Sequence, residues 1–295
     1  MQVDGVFAGG GMKALAFVGA LEVLAEKDIN FERTAGTSAG ALTAAFIKAG
    51  YHAEDIYQLF SDLDTKHFLD SRPLGTVFPL MRWLSLYSRM GLYKGHTFEE
   101  WVEDVLAIKG IKTFKDLPHG CLKMVASDMT YGRFIVLPDD LPQYGYNPDQ
   151  FSIAKAIRMS CSLPFFFEPV KLKNDKGEDS IIVDGGVLSN FPLWLFMRKG
   201  KKRERPILGL RLAPEYEEIP PRTIKNSLSL LLSMFDTMRS AHDQRYVAKK
   251  DAKDIVFIPV EGTGATNFEM NEKEKKQLVN LGRETTAAFL KRWSY

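Results

Sequence analysis

Ser38 sits in "AGTSAGAL", where Gly36, Thr37, Ser38, Ala39 and Gly40 spell G-x-S-x-G between a predicted strand and a predicted helix. A sharp strand-to-helix turn lifts a serine hydroxyl out of the sheet, and small residues two before and two after let the backbones approach closely. The next helix aims its free N–H groups and positive dipole end at the same place. That is the setting of a nucleophilic serine, and such a serine needs a base. Asp184, in "IIVDGGVLSNFP", follows a β-branched run and precedes Gly185 and Gly186. A carboxylate at the C-terminal end of a strand lies where open α/β sheets place their chemistry. The same Asp-Gly spelling also fits a type I′ hairpin turn. A histidine base is poorly supported. His242 alone follows the acids and falls in "MRSAHDQRY", a polar helical stretch, while His52, His67, His96 and His119 have no companion pattern and are expected to be solvated or structural.

The third stretch is "VFAGGGMKALAFVGAL", a strand running through Gly9, Gly10 and Gly11 into a helical period. Glycines at a helix N-terminus expose backbone N–H groups with no side chains in the way, which suits either a phosphate or an oxyanion. Gly9, Gly11 and Ala14 can be read as a dinucleotide fingerprint, which would require an acid at the end of the second strand. The acid of that strand, Glu32, lies near its start, and the strand's end leads directly into the Ser38 turn.

The elements that must hold these residues alternate in type, the pattern of an α/β fold with a largely parallel sheet. Strands are expected at Val3–Ala8, Phe31–Ala35, Leu122–Ser127, Arg133–Leu137, Ile181–Val183, Ile207–Leu212 and Ile255–Val260. Helices are expected at Lys13–Lys27, Ala39–Ala49, Ala53–Leu63, Thr97–Ala107, Ile153–Ser160, Thr223–Ala248 and Asn271–Trp293. The last opens "NEKE", in which Asn271 can cap the helix and Glu274 can reach back to the cap. The Pro-rich joints read as surface loops, and no boundary divides the chain, so a single domain over residues 1–295 is expected.

With 45% hydrophobic residues, the 295-residue chain can bury a sizeable core. A formal charge of +2 gives no electrostatic argument for nucleic acid as a partner. Cys121 and Cys161 lack metal-ligand spacing and read as reduced thiols, in keeping with a cytoplasmic protein. The N-terminus lacks the basic and apolar regions of a signal peptide, and "SLSLLLSMF" is far short of the ~20 residues that span a bilayer. Peripheral contact with a membrane stays open.

"GGGMK" after the first strand, "GTSAG" after the second and "VDGG" with "NFP" far downstream resemble the patatin-like phospholipases, and "AIRMSCSLPFFFEPV" reinforces the match over residues 3–192. The resemblance implies a three-layer α/β/α fold with a mainly parallel central sheet, completed by residues 193–295. It further implies a lipid acyl hydrolase with Ser38 as nucleophile, Asp184 as its base, and Gly9, Gly10 and Gly11 as the oxyanion hole. Lys13, Gly36, Ala39, Gly40, Gly185 and Gly186 would support them, with neither metal nor cofactor and with a phospholipid or other acyl ester as substrate. Ala14 stands where the family's turn has its last glycine. Alanine suffices there if the helix has already begun and φ is negative. On the substrate side, Phe78–Tyr93 has the composition of a lipid-facing flap or of a buried helix. Met197–Arg205 carries six basic side chains against one acid, and "PFFFEP" fits an acyl pocket or plain core. The rival classes are a dinucleotide-binding protein and a non-catalytic lipid-binding scaffold.

Overall fold

The computed structural model describes residues 1–62, 88–174, 177–197, 204–212, 249–260 and 270–294, together with 224, 230, 233, 234 and 237. Its first strand, β1 (Gln2–Phe7), is buried from its second residue onward. Burial on both faces is the mark of a strand inside a parallel sheet. β2 (Asn30–Thr37) lies parallel on one side of β1, and β9 (Ile207–Arg211) with β10 (Ile255–Phe257) beyond it lies parallel on the other. β4 (Leu122–Asp128) continues the parallel order beyond β2. Three antiparallel pairings complete the sheet: β5 (Arg133–Leu137) and β8 (Asp179–Asp184) with β4, and β7 (Val170–Lys173) with β8. The order is β10-β9-β1-β2-β4-β8-β7, with β5 also on β4, so the central sheet is mainly parallel as the alternating pattern implied.

Side chains alternate across this sheet into two cores. Val3 and Phe7 of β1, Leu208 and Leu210 of β9 and Val256 of β10 join the larger, helix-covered core. Val6, Ala35, Ile207 and Ile255 point the other way, against Phe191, Leu193 and Phe196. The described cover on that second face is the irregular segment around the 3-10 turn Leu193–Leu195. The helix expected over Thr223–Ala248 falls almost wholly outside the described residues.

On the larger side lie α1 (Leu15–Glu26), α2 (Ala39–Lys48), α3 (Ala53–Ser61), α4 (His96–Ile108), α5 (Ile153–Ser160) and α6 (Glu272–Leu290). Nine of the twelve residues of α1 are buried, because α6 and α3 pack against it and its Phe17 meets Phe7 of β1 edge to face. α1 and α6 touch backbone to backbone. A Cβ on Gly19 would lie 1.9 Å from the Val279 carbonyl, and one on Gly282 would lie 1.8 Å from that of Ala16. The expected cap of α6 is present, with Glu274 N–H donating to Asn271 Oδ1 at 3.0 Å and Asn271 N–H donating to Glu274 Oε2 at 2.9 Å.

Two three-residue strands had no sequence signal. β3 (Gly91–Tyr93) and β6 (Phe165–Phe167) pair in parallel, away from the main sheet. Phe165 is not part of the core; it is exposed, at φ +66°. Strands this short cannot show an alternating pattern. The rest of the suggested flap, residues 78–87, and residues 198–203 of the basic run lie outside the described residues.

Candidate active site

The Ser38 turn follows from two close approaches. β2 ends buried at Thr37, and α2 starts at Ala39, which leaves Ser38 alone to reverse the chain at φ 54°, ψ −128°. A non-glycine residue at positive φ costs about 1–3 kcal/mol and persists where its surroundings enforce it. The surroundings here are Gly36 and Gly40. A Cβ on Gly36 would meet the Gly40 carbonyl at 2.2 Å, and one on Gly40 would meet the Phe7 carbonyl at 2.3 Å. The flanking glycines thus let α2 start directly against the ends of β1 and β2. Ala39 is the buried first residue of that helix, and Thr37 Oγ1 donates to the Ser189 carbonyl at 3.0 Å.

Asp184 arrives from the opposite direction. β4 pairs through one edge with β5, and its other edge is shared end to end by β2 and β8. β2 stops with Thr37 opposite Val125, and β8, running antiparallel, stops with Asp184 opposite Ala126. The strand-end serine and the strand-end carboxylate are therefore brought together by sheet register. Asp184 is only 4% exposed. Its Oδ1 accepts from Gly186 N–H at 2.6 Å, capping the 3-10 turn Gly185–Val187, and its own N–H donates to the Ser162 carbonyl at 2.8 Å. The Asp-Gly pair is thus a strand-to-turn cap, not a two-residue hairpin. Gly185 passes so close to β4 that a Cβ would lie 2.1 Å from the Val125 carbonyl.

The glycine run divides in two. Gly9 N–H donates to the Asn190 carbonyl at 3.0 Å, and the Asn190 side-chain amide returns a bond to the Gly9 carbonyl at 3.2 Å. The Gly9 N–H is thus committed to a backbone partner, unlike those of the two glycines that follow. Gly10 and Gly11 have no acceptor on their N–H groups among the described residues. Gly11 takes φ 59°, where a side chain would be strained, and opens the 3-10 turn Gly11–Ala14. Ala14 has φ −59° and is fully buried, so alanine fits there without strain. Lys13 lies half-buried in the same turn.

Asn190 ties these parts together. A Cβ on Gly9 would fall 2.5 Å from Asn190 Oδ1 and 3.2 Å from Ser38 Cβ, and one on Gly186 would fall 3.0 Å from the same Asn190 oxygen. The glycine run, the serine and the Asp184 turn meet around this amide. Its place in "NFP" was visible in the sequence, but its contact with a residue 181 positions away was not.

Cys161 also lies beside the pair, interacting with the Ser38 hydroxyl and the Asp184 charge. Burial, and then the Asp184 carboxylate, push its thiol well above the ordinary range. The thiolate is the reactive form of cysteine, so this environment silences it as a nucleophile. Behind it, the buried Arg158 guanidinium donates to the carbonyls of Lys94 at 2.6 Å, Gly95 at 3.0 Å and Glu168 at 2.7 Å, and to Ser162 Oγ.

His52, His96 and His119 are exposed and none bonds to Ser38, while His67 and His242 lie outside the described residues. Glu32 is exposed near the start of β2, at the far end of the strand from Ser38. No described acid therefore closes β2 in the way a ribose-binding site requires.

A family model described as patatin-like phospholipase matches residues 5–197. The uncharacterized protein YqhO of Bacillus subtilis is 50% identical over 295 residues, covering the whole of both chains. A probable lipid hydrolase, 463L of invertebrate iridescent virus 6, is 25% identical over 212 residues, or 68% of this chain and 65% of that one. Among solved structures, VipD from Legionella pneumophila aligns with TM-score 0.58 at 17% identity, over 99% of this chain and 67% of that one. ExoU of Pseudomonas aeruginosa, in complex with SpcU, aligns with TM-score 0.55 at 17% identity, over all of this chain and 53% of that one. At such identities these two establish a shared fold. From the sequence match that begins within β1 and takes in the Ser38 turn and the Asp184 turn, it follows that the chain belongs to the patatin-like phospholipase family.

Proposed function

We propose that this protein is a lipid acyl hydrolase of the phospholipase A or lysophospholipase type, working through Ser38 and Asp184. The observation that carries the reading is the meeting of β2 and β8 on one edge of β4, which sets the two residues beside adjacent rungs. Asp184 takes the Ser38 proton as Ser38 Oγ attacks the ester carbonyl carbon. The negative charge that develops on the carbonyl oxygen is met by the N–H groups of Gly10 and Gly11, with that of Ala39 at the head of α2 as a further donor. The C–O bond to the alcohol then breaks, and the departing oxygen takes the proton from Asp184. Water attacks the acyl-serine with Asp184 again as base, releasing the fatty acid and restoring Ser38.

A carboxylate is a weaker base than imidazole, so positioning and the oxyanion donors must supply much of the acceleration. A built-in strained turn and a register-fixed acid support that division of labour. Exposed apolar side chains support a lipid partner. Met90, which precedes β3, and Phe165, which pairs with Gly91 at the start of β6, are 47% and 49% exposed. Among the described residues no helix is long and apolar enough to cross a membrane, so the contact proposed is peripheral.

The test compares wild type with Ser38→Ala and Asp184→Asn on a short-chain p-nitrophenyl ester and on phospholipid vesicles, with product lipids identified. Loss of hydrolysis in both variants is expected. Full activity in both would sink the dyad, and failure of a fluorophosphonate to label wild-type Ser38 would favour a non-catalytic scaffold.

A further inference from the structure

We infer that Ser160 is a positioning residue for the nucleophile: its hydroxyl holds the Ser38 turn in its working conformation. The inference rests on Ser38 being the nucleophile. Ser38 N–H donates to Ser160 Oγ at 3.0 Å, and Ser160 Oγ–H donates to the Val125 carbonyl at 2.6 Å. Ser160 is the last residue of α5 and is fully buried.

Three features give this relay its importance. Ser38 is the cap of α2, and its N–H lies outside the ladder of that helix, so it needs a partner from elsewhere. The partner is contributed by a residue 122 positions away, and it bonds the one backbone unit in the turn that sits at positive φ. The far end of the relay is Val125, the residue opposite Thr37 in the register. One hydroxyl thus ties the serine turn to β4 next to the rung occupied by Asp184. Because its own proton is engaged by Val125, its lone pair must face Ser38 N–H, which fixes the direction of the relay as well as its length. Ser38 Oγ hangs on the backbone unit so restrained, and small displacements of a nucleophile have large effects on rate.

Ser160→Ala removes the acceptor for Ser38 N–H and the donor for Val125 without adding bulk. The expected result is a fall of about 10-fold to 100-fold in kcat, little change in KM, and a matching fall in the rate of fluorophosphonate labelling of Ser38. Ser160→Cys keeps the size but bonds weakly, and it should lose rate in the same way, so the inference stays testable if the alanine variant folds poorly. Ser152→Ala is the control for stability alone. It removes the cap at the other end of α5, where Ser152 Oγ accepts from Lys155 N–H at 3.2 Å, and has no bond to Ser38. It should lower Tm and leave kcat unchanged.

Two outcomes overturn the inference. One is that Ser160→Ala and Ser160→Cys both stay within two-fold of wild type in kcat and labelling rate. The other is that their losses are no greater than that of Ser152→Ala at equal loss of Tm. Activity surviving in Ser38→Ala, measured alongside, would instead mean that the nucleophile itself is wrongly assigned.

Discussion

Thr37 and Asp184 occupy consecutive rungs on the same edge of β4, opposite Val125 and Ala126, although they end strands that run toward each other. The junction between these two strand ends is where the proposed site lies. Because backbone pairing sets the separation, the loops that lead into β2 and β8 can vary without moving the serine turn relative to the acid. Sites held by sheet strands are more precise than sites held by loops.

Asp184→Asn tests the chemistry apart from this scaffold. The asparagine Oδ1 can still accept from Gly186 N–H, and the Asp184 N–H bond to the Ser162 carbonyl belongs to the backbone. The fold should therefore survive, with Tm within about 4 °C of wild type. The proton acceptor is lost, so kcat/KM should fall about 10²-fold to 10⁴-fold. A collapse of Tm together with activity would show that the carboxylate holds the turn and leave its catalytic part unproven.

Gly11→Ala probes the oxyanion donors. At φ 59° an alanine costs about 1–2 kcal/mol and moves the N–H that glycine presents freely. Displacing one such donor should lower kcat by about 10²-fold to 10³-fold with a small change in KM, read on the p-nitrophenyl ester. An unchanged kcat would remove Gly11 from the hole.

Much of this was legible in the sequence. β5, α2 and α5 begin where their patterns place them, and Ser38 and Asp184 stand at strand ends as the glycines around them suggested. The features that escaped were long-range. That Gly9 spends its N–H on Asn190, and that Ser160 reaches Ser38, depends on contacts across 181 and 122 positions. Periodicity reports the face on which a residue lies and gives no information about which distant backbone group meets it.

Alkaline pH should destabilise the protein. Burial raises the thiols of Cys121 and Cys161 and the phenols of Tyr51 and Tyr144 above their ordinary values, helped at Cys161 by the Asp184 charge. Above pH ~8.5 the unfolded thiols ionise while the folded ones stay protonated, so the native state binds more protons and stability falls as pH rises. Urea midpoints measured from pH 7 to pH 10.5 should decline, and Cys161→Ala should flatten the decline. Iodoacetamide at pH 8 should modify Cys161 slowly in native protein and rapidly in urea. A flat profile, or fast native labelling, would contradict the protonated thiol.

Arg158 offers the most severe structural test. Its guanidinium satisfies the carbonyls of Lys94, Gly95 and Glu168 at once, bonds Ser162 Oγ, and lies 4.9 Å from the centre of the Phe167 ring. Arg158→Met keeps much of the volume and leaves those carbonyls without their donor, at about 1–3 kcal/mol for each one that stays buried. A loss of at least ~3 kcal/mol is expected, seen as a lower urea midpoint at unchanged m. Arg158→Lys supplies a charge without the planar fork, and it should recover only part of the loss. The effect should also reach the chemistry, because Ser162 accepts the backbone bond of Asp184. In Arg158→Lys, kcat should fall before the fold does. If Arg158→Met matched wild type in both midpoint and kcat, the guanidinium would be a passenger in this site and not the tie that joins β6, the start of α4 and the strand end bearing Asp184.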